Sequence, residues 1–125
     1  MIIHLPLSVM VKNKKFILNL NNYRNTHHRV LSDAKKNYKS MIWNSIPDEV
    51  IETPVMLSYT YYHKSRGKID IANPCSIIDK FACDVLVEKG VLPDDNIDIV
   101  KKINYIWGGV DKDNPRCELC IEKIF

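Results

Sequence analysis

The chain predicts a small α/β (α+β) domain, a mixed β-sheet packed with two α-helices. Three observations carry this. Val55, Leu57, Tyr59 and Tyr61 alternate with Met56, Ser58, Thr60 and Tyr62, the period of a half-buried strand. Ile77, Ile78, Phe81, Ala82, Val85 and Leu86 recur at about 100° per residue, the signature of a core helix. The order of such segments, β(β), α, β, α, β, β, indicates a mixed sheet with helices on one face. With 125 residues and no repeat or linker, residues 1–125 read as a single domain.

In chain order, residues 2–11 read as a first strand, with Leu5, Leu7, Val9 and Val11 on one parity and Pro6 demanding an edge or bulge. Lys12 to Lys15 read as a turn, and Phe16 to Leu20 as a short apolar run. Asn21 to Arg29 is polar and rich in turn formers, so it reads as a loop. In it, Arg24 and Arg29 suit phosphates and Tyr23 suits stacking on a base.

Ser32 is a good N-cap for a helix of about twelve residues, with Ala34, Tyr38, Met41 and Ile42 as its buried stripe. Lys36 and Lys39 fall on the opposite face, and Pro47 enforces an end. Residues 52–62 are the clearest strand. Were the extended backbone to continue, Lys64, Arg66, Lys68 and Asp70 would share one side.

Pro74 favours an extended Asn73 and suits the first turn of the core helix. On that helix Lys80 and Asp84 are four apart and suit an ion pair. Gly90 is a natural residue just past its end. Pro93-Asp94-Asp95-Asn96 is turn chemistry. Residues 97–106 read as a strand, Gly108-Gly109 and Asp111 to Pro115 as a loop, and Cys117 to Ile124 as a last strand.

Charge is unevenly divided. Residues 1–68 hold 11 Lys/Arg against 4 Asp/Glu, and residues 69–125 hold 7 against 11. A basic half joined to an acidic half suits a protein that grips a polyanion and places carboxylates on it. No run of 18 apolar residues occurs, which predicts no membrane span. The apolar N-terminus lacks a basic n-region and is broken by Pro6, which predicts an intracellular chain with reduced cysteines. Cys117-x-x-Cys120 is half a zinc motif without its second half. Asp111-x-Asp113 fails as a calcium loop, because Pro115 and Arg116 stand where a ligand and a glycine belong.

The stretch from Lys64 to Asn96 concentrates the chemistry. Lys64, Arg66 and Lys68 precede Asp70, and the acids Asp84, Asp94 and Asp95 follow. One or two carboxylates with water and a substrate phosphate satisfy Mg²⁺. Asp70 and Asp95 suit that role, with Asp84 and Asp94 as further ligands or supports.

Asp70-x-x-Asn73, Lys80-x-x-x-Asp84-x-Leu86 and Gly90-Val91-x-x-Asp94-Asp95 resemble the signature of the RusA-like endodeoxyribonucleases, the phage-type Holliday junction resolvases. Leu20-Asn21-Asn22-Tyr23 and the basic helix after it resemble that family's N-terminal half, so the likeness spans most of residues 16–105. The resemblance implies a RusA-like α/β fold and a homodimer that cuts branched DNA with Mg²⁺ or Mn²⁺ in recombination, repair or replication, in the cytoplasm of a bacterium or phage-infected host. It also implies Asp70 and Asp95 as metal ligands, Lys80 on the scissile phosphate and Asp84 as support. Arg24, Arg29, Lys36, Lys64, Arg66, Lys68 and Asn73 are the expected DNA contacts.

One position departs from the pattern. Ala72 stands where the family has the second Asp of Asp-x-Asp-Asn, and the segment from Asn73 to Lys80 is longer than in the shortest members. Either Asp79 or Asp84 fills the place, or the metal is held weakly, or the chain binds junctions without cutting them.

Overall fold

The computed structural model describes residues 1–124. The elements are β1 (Ile2–Leu5), β2 (Ser8–Val11), β3 (Lys14–Ile17), α1 (Leu20–Asn25), α2 (His28–Ile42), β4 (Val55–His63), α3 (Ala72–Glu88), β5 (Val100–Val110) and β6 (Arg116–Lys123). The main sheet runs β1-β6-β4-β5, and β2 and β3 form a separate hairpin. β4 is parallel to β5 and antiparallel to β6, so the sheet is mixed. The fold is α+β, and no helix among the described residues is long and apolar enough to cross a membrane.

The strand period predicted for β4 holds. Val55, Leu57, Tyr59 and Tyr61 are buried, while Met56, Ser58, Thr60 and Tyr62 stay half-exposed on the uncovered face. Cys117, Leu119 and Ile121 of β6 continue the buried side. All six residues of the α3 stripe are buried. Phe81 ties three layers together: its ring stacks on Phe16 of the hairpin at 6.2 Å and meets Tyr38 of α2 edge-on at 5.6 Å. Burying a side chain of this size is worth about 1.5–3 kcal/mol, so Phe81 fixes the hairpin and both long helices relative to one another.

Several local expectations are corrected. The strand over 2–11 is two strands in two sheets. Pro6 has no N–H for a ladder, and its carbonyl accepts from the Tyr38 hydroxyl at 2.8 Å. The polar stretch 21–29 is mostly helical, divided between α1 and α2 at Thr26 and His27. Asn19 caps α1 by accepting from Asn22 N–H at 2.8 Å, and His27 Nδ1 accepts from Arg29 N–H at 3.2 Å at the start of α2. Helix α2 therefore begins four residues before Ser32 and has 15 residues. Its buried stripe is Ala34, Tyr38 and Ile42, and Met41 is exposed.

Asn73 is helical, in the first turn of α3, and not extended. Residues 64–70 leave the strand and form bends, so Lys64, Arg66, Lys68 and Asp70 do not share a strand face. Gly108 and Gly109 belong to β5 and not to a loop. A Cβ on Gly108 would stand 2.8 Å from Thr60 Cγ2 and 2.8 Å from the Tyr62 ring. Gly109 has φ +115 and sits where the β4–β5 register shifts. Both glycines serve a bulge that predictions from hydrophobic period do not register.

Candidate functional site

Helix α3 lies across the buried face of the sheet, so its polar border faces the side chains of β4 and β5. Asp79 and Cys83, one turn apart, meet Tyr59 there. The Tyr59 hydroxyl donates to Asp79 Oδ1 at 2.6 Å, and the Cys83 thiol donates to the same oxygen at 3.2 Å. Burial pushes the Tyr59 phenol well above its ordinary pKa, and the Cys83 and Asp79 charges push it further. Burial, then Asp79, pushes the Cys83 thiol up. Burial and the Asp79 charge bring Tyr105 up to about 12. All three groups thus stay protonated; Tyr59 and Cys83 donate to Oδ1 of Asp79, and its Oδ2 accepts neither bond.

The second carboxylate arrives from the turn after α3. Gly90, at φ +83, ends the helix, and Val91 N–H returns to the Leu86 carbonyl at 2.9 Å. Val91 and Leu92 then bury, which directs Pro93 to Asn96 back along the helix. Asp94 holds the turn: Oδ1 accepts from Asp95 N–H at 2.7 Å and Oδ2 from the Asn96 amide at 3.0 Å. With Asp94 so committed, Asp95 is the acid that turns to the helix.

Asp79, Lys80, Cys83 and Asp95 line one cavity of about 160 Å³, walled by Leu57, Val100 and Ile103. At ~30 Å³ per water this holds about five waters, the scale of a hydrated cation and far below a nucleotide. The Asp95 pKa is raised, first because the cavity wall takes water from its carboxyl, then through Asp94 and the charge of Asp84. Asp84 is exposed and contributes through that charge; no ion pair joins it to Lys80 among the described residues. Lys80 is exposed at the cavity rim.

Asp79 and Asp95 are the two carboxylates that line this cavity, and two carboxylates with water are the least that Mg²⁺ binding uses. No group of three or more His, Cys, Asp or Glu arranged to hold a metal occurs among the described residues. Cys117 and Cys120, three apart on β6, fall on opposite faces, and Cys117 is a free, buried thiol of the core.

The structure separates Asp70 from this site. It is exposed on the turn before α3, where Oδ1 accepts from Ala72 N–H at 3.1 Å. From Ala72 to Asp79 the helix rises about 10 Å, and Asp70 lies beyond that. Asn73 faces the other way: its Oδ1 accepts from Leu20 N–H at 2.8 Å, at the start of α1.

The expected basic contacts are dispersed over the surface. Arg24, Lys36, Lys64 and Arg66 are exposed. Lys68 borders a hollow with Trp107, and Arg29 borders a separate cleft beside the hairpin.

Tyr59, Cys83 and Tyr105 carry no motif, yet one signal was present. Tyr59 lies on the buried parity of its strand, and a buried phenol needs a hydrogen-bond partner. Neither the protein-family models nor the curated proteins contain a match to this chain.

Proposed function

We propose that this chain is a metal-dependent endodeoxyribonuclease acting on branched DNA, with Asp79 and Asp95 as its metal-binding pair. The observation that carries the reading is the convergence of Asp79, Lys80 and Asp95 on one small cavity. The resemblance of the Lys80–Asp84 and Asp94–Asp95 blocks to RusA-like resolvases supplies the substrate class. In this reading the helix's metal-binding carboxylate is Asp79, about two turns further along α3 than Ala72.

Asp79 and Asp95 would hold a Mg²⁺ or Mn²⁺ ion, which would supply Lewis acidity for hydrolysis of a phosphodiester. The chain's own residues prepare the site. Tyr59 and Cys83 hold Asp79 by one oxygen, so its rotamer is set before any ligand arrives. Asp94 fixes the turn that presents Asp95. Lys80 neutralises charge developing on the phosphoryl oxygens. Lys64, Arg66 and Lys68, exposed after β4, attract the DNA backbone.

A homodimer would set two such sites against opposed strands. The free edge of β5, with Ile103, Ile106, Trp107 and Val110 all at least 44% exposed, supports pairing between copies.

The position of Asp70 outside the cavity favours a second reading, a junction-binding protein without activity. A labelled four-way junction, beside linear duplex of the same sequence, separates them. Paired nicks in opposed strands that require Mg²⁺ or Mn²⁺ support the nuclease. Tight junction binding without cutting in either metal supports the binder. Weak, salt-insensitive binding sinks both.

A further inference from the structure

The β2–β3 hairpin and the start of α2 enclose a second cleft, of about 730 Å³, that shares no residue with the carboxylate cavity. Lys12, Lys14 and Lys15 border it from the hairpin and Arg29 from the helix, against one acid, Asp33. None of these four cations forms an ion pair with a described residue. Lys12 sits at φ 56, a left-handed conformation uncommon for residues other than glycine. Four like charges around one concavity repel one another, and a polyanion relieves that repulsion.

Part of the cleft wall is apolar, beside the polar Asn13, Asn22 and Thr26. Val11, Phe16 and Val30 line it, and Val30 remains 39% exposed on the helix surface. The His27 ring, also lining it, lies 4.3 Å from the His28 ring, tilted to it by 31°. Flat imidazole and apolar surface inside a cationic rim matches an unstacked base joined to phosphates. A duplex keeps its bases stacked and offers such a cleft phosphates alone. The volume is that of a small-ligand pocket, room for one or two nucleotides.

We infer that the hairpin–helix cleft binds a single-stranded nucleic-acid segment, with phosphates on Lys12, Lys14, Lys15 and Arg29 and a base against Val30 and His27. This does not rest on the nuclease reading, because the cleft and the carboxylate cavity are separate.

The test is fluorescence anisotropy of a labelled 15-nucleotide oligothymidylate with the full chain, in EDTA. The combined Lys14→Ala, Lys15→Ala, Arg29→Ala variant should bind about tenfold or more weakly, and its log–log salt slope should be shallower by about 2. Val30→Ala should weaken binding about threefold with the salt slope unchanged. Thermal melts of each variant confirm that these surface changes leave the fold intact. The inference is overturned if the triple variant keeps both affinity and slope, or if duplex DNA or polyglutamate displaces the oligomer as well as unlabelled strand does. Junction cutting with an unaffected triple variant would remove the cleft and leave the nuclease; strand binding at the cleft without cutting would do the reverse.

Discussion

The Tyr59 hydroxyl lies 2.6 Å from Asp79 Oδ1, joining the middle of the sheet to the polar border of α3. The strand supplies a buried donor and the helix a carboxylate that can still face the cavity. A hydrogen bond to a charged group contributes about 1.5–3 kcal/mol, enough to fix the carboxylate's orientation. Tyr59→Phe should keep the fold, lower thermal stability by that order and cut single-turnover cleavage about tenfold. Differential scanning calorimetry and single-turnover kinetics read the two effects; unchanged cleavage would show that Asp79 needs no such anchor.

Asp95 gives a pH test. Its folded-state pKa is raised by desolvation and by Asp94 and Asp84, so the ionised form costs folding free energy. That cost is absent below the unfolded-state pKa, about 3.9, and is fully present once pH exceeds the raised folded value. Asp95→Asn should therefore raise the melting temperature at pH 7, and the gain should vanish toward pH 3. Cleavage should be lost throughout. Mg²⁺ affinity in the parent chain should rise with pH as Asp95 ionises. A variant less stable than the parent at pH 7 would contradict the electrostatic account.

Asn73 tests whether a motif residue serves DNA or the fold. Its side chain satisfies the first backbone N–H of α1, a capping contact worth about 1 kcal/mol. Asn73→Ala should lower stability by about that amount and leave junction affinity within about twofold of the parent. A large loss of junction affinity with unchanged stability would restore Asn73 as a DNA contact.

Strong periodicity made β4, α3 and β6 legible. Each has one continuous apolar face, and tertiary packing had only to accept it. The segments that escaped are those where side-chain hydrogen bonds override pattern. Asn19 and His27 cap two helices inside a stretch that composition marks as loop. Pro6 divides one apparent strand between two sheets. Gly108 lies in β5 because Thr60 and Tyr62 leave no space for a Cβ.

The site was half legible for a similar reason. Lys80 and Asp95 sit in blocks with recognisable spacing. The partnership of Asp79 with Tyr59 spans 20 residues and two elements, and only the packing of α3 on the sheet creates it. Asp70 carried the motif, but it sits in the turn before α3 and does not line the cavity that Asp79 and Asp95 share.

The central claim is that Asp79, and not Asp70, completes the site with Asp95. The most direct measurement is Mg²⁺-dependent cleavage of a four-way junction by Asp79→Asn and Asp70→Asn, with junction binding measured alongside. The geometry predicts that Asp79→Asn loses cleavage by about 10³-fold or more, a loss of about 4 kcal/mol in transition-state stabilisation, while Asp70→Asn stays within about tenfold of the parent and both bind the junction normally. Loss of cleavage in Asp70→Asn with activity retained in Asp79→Asn would contradict it.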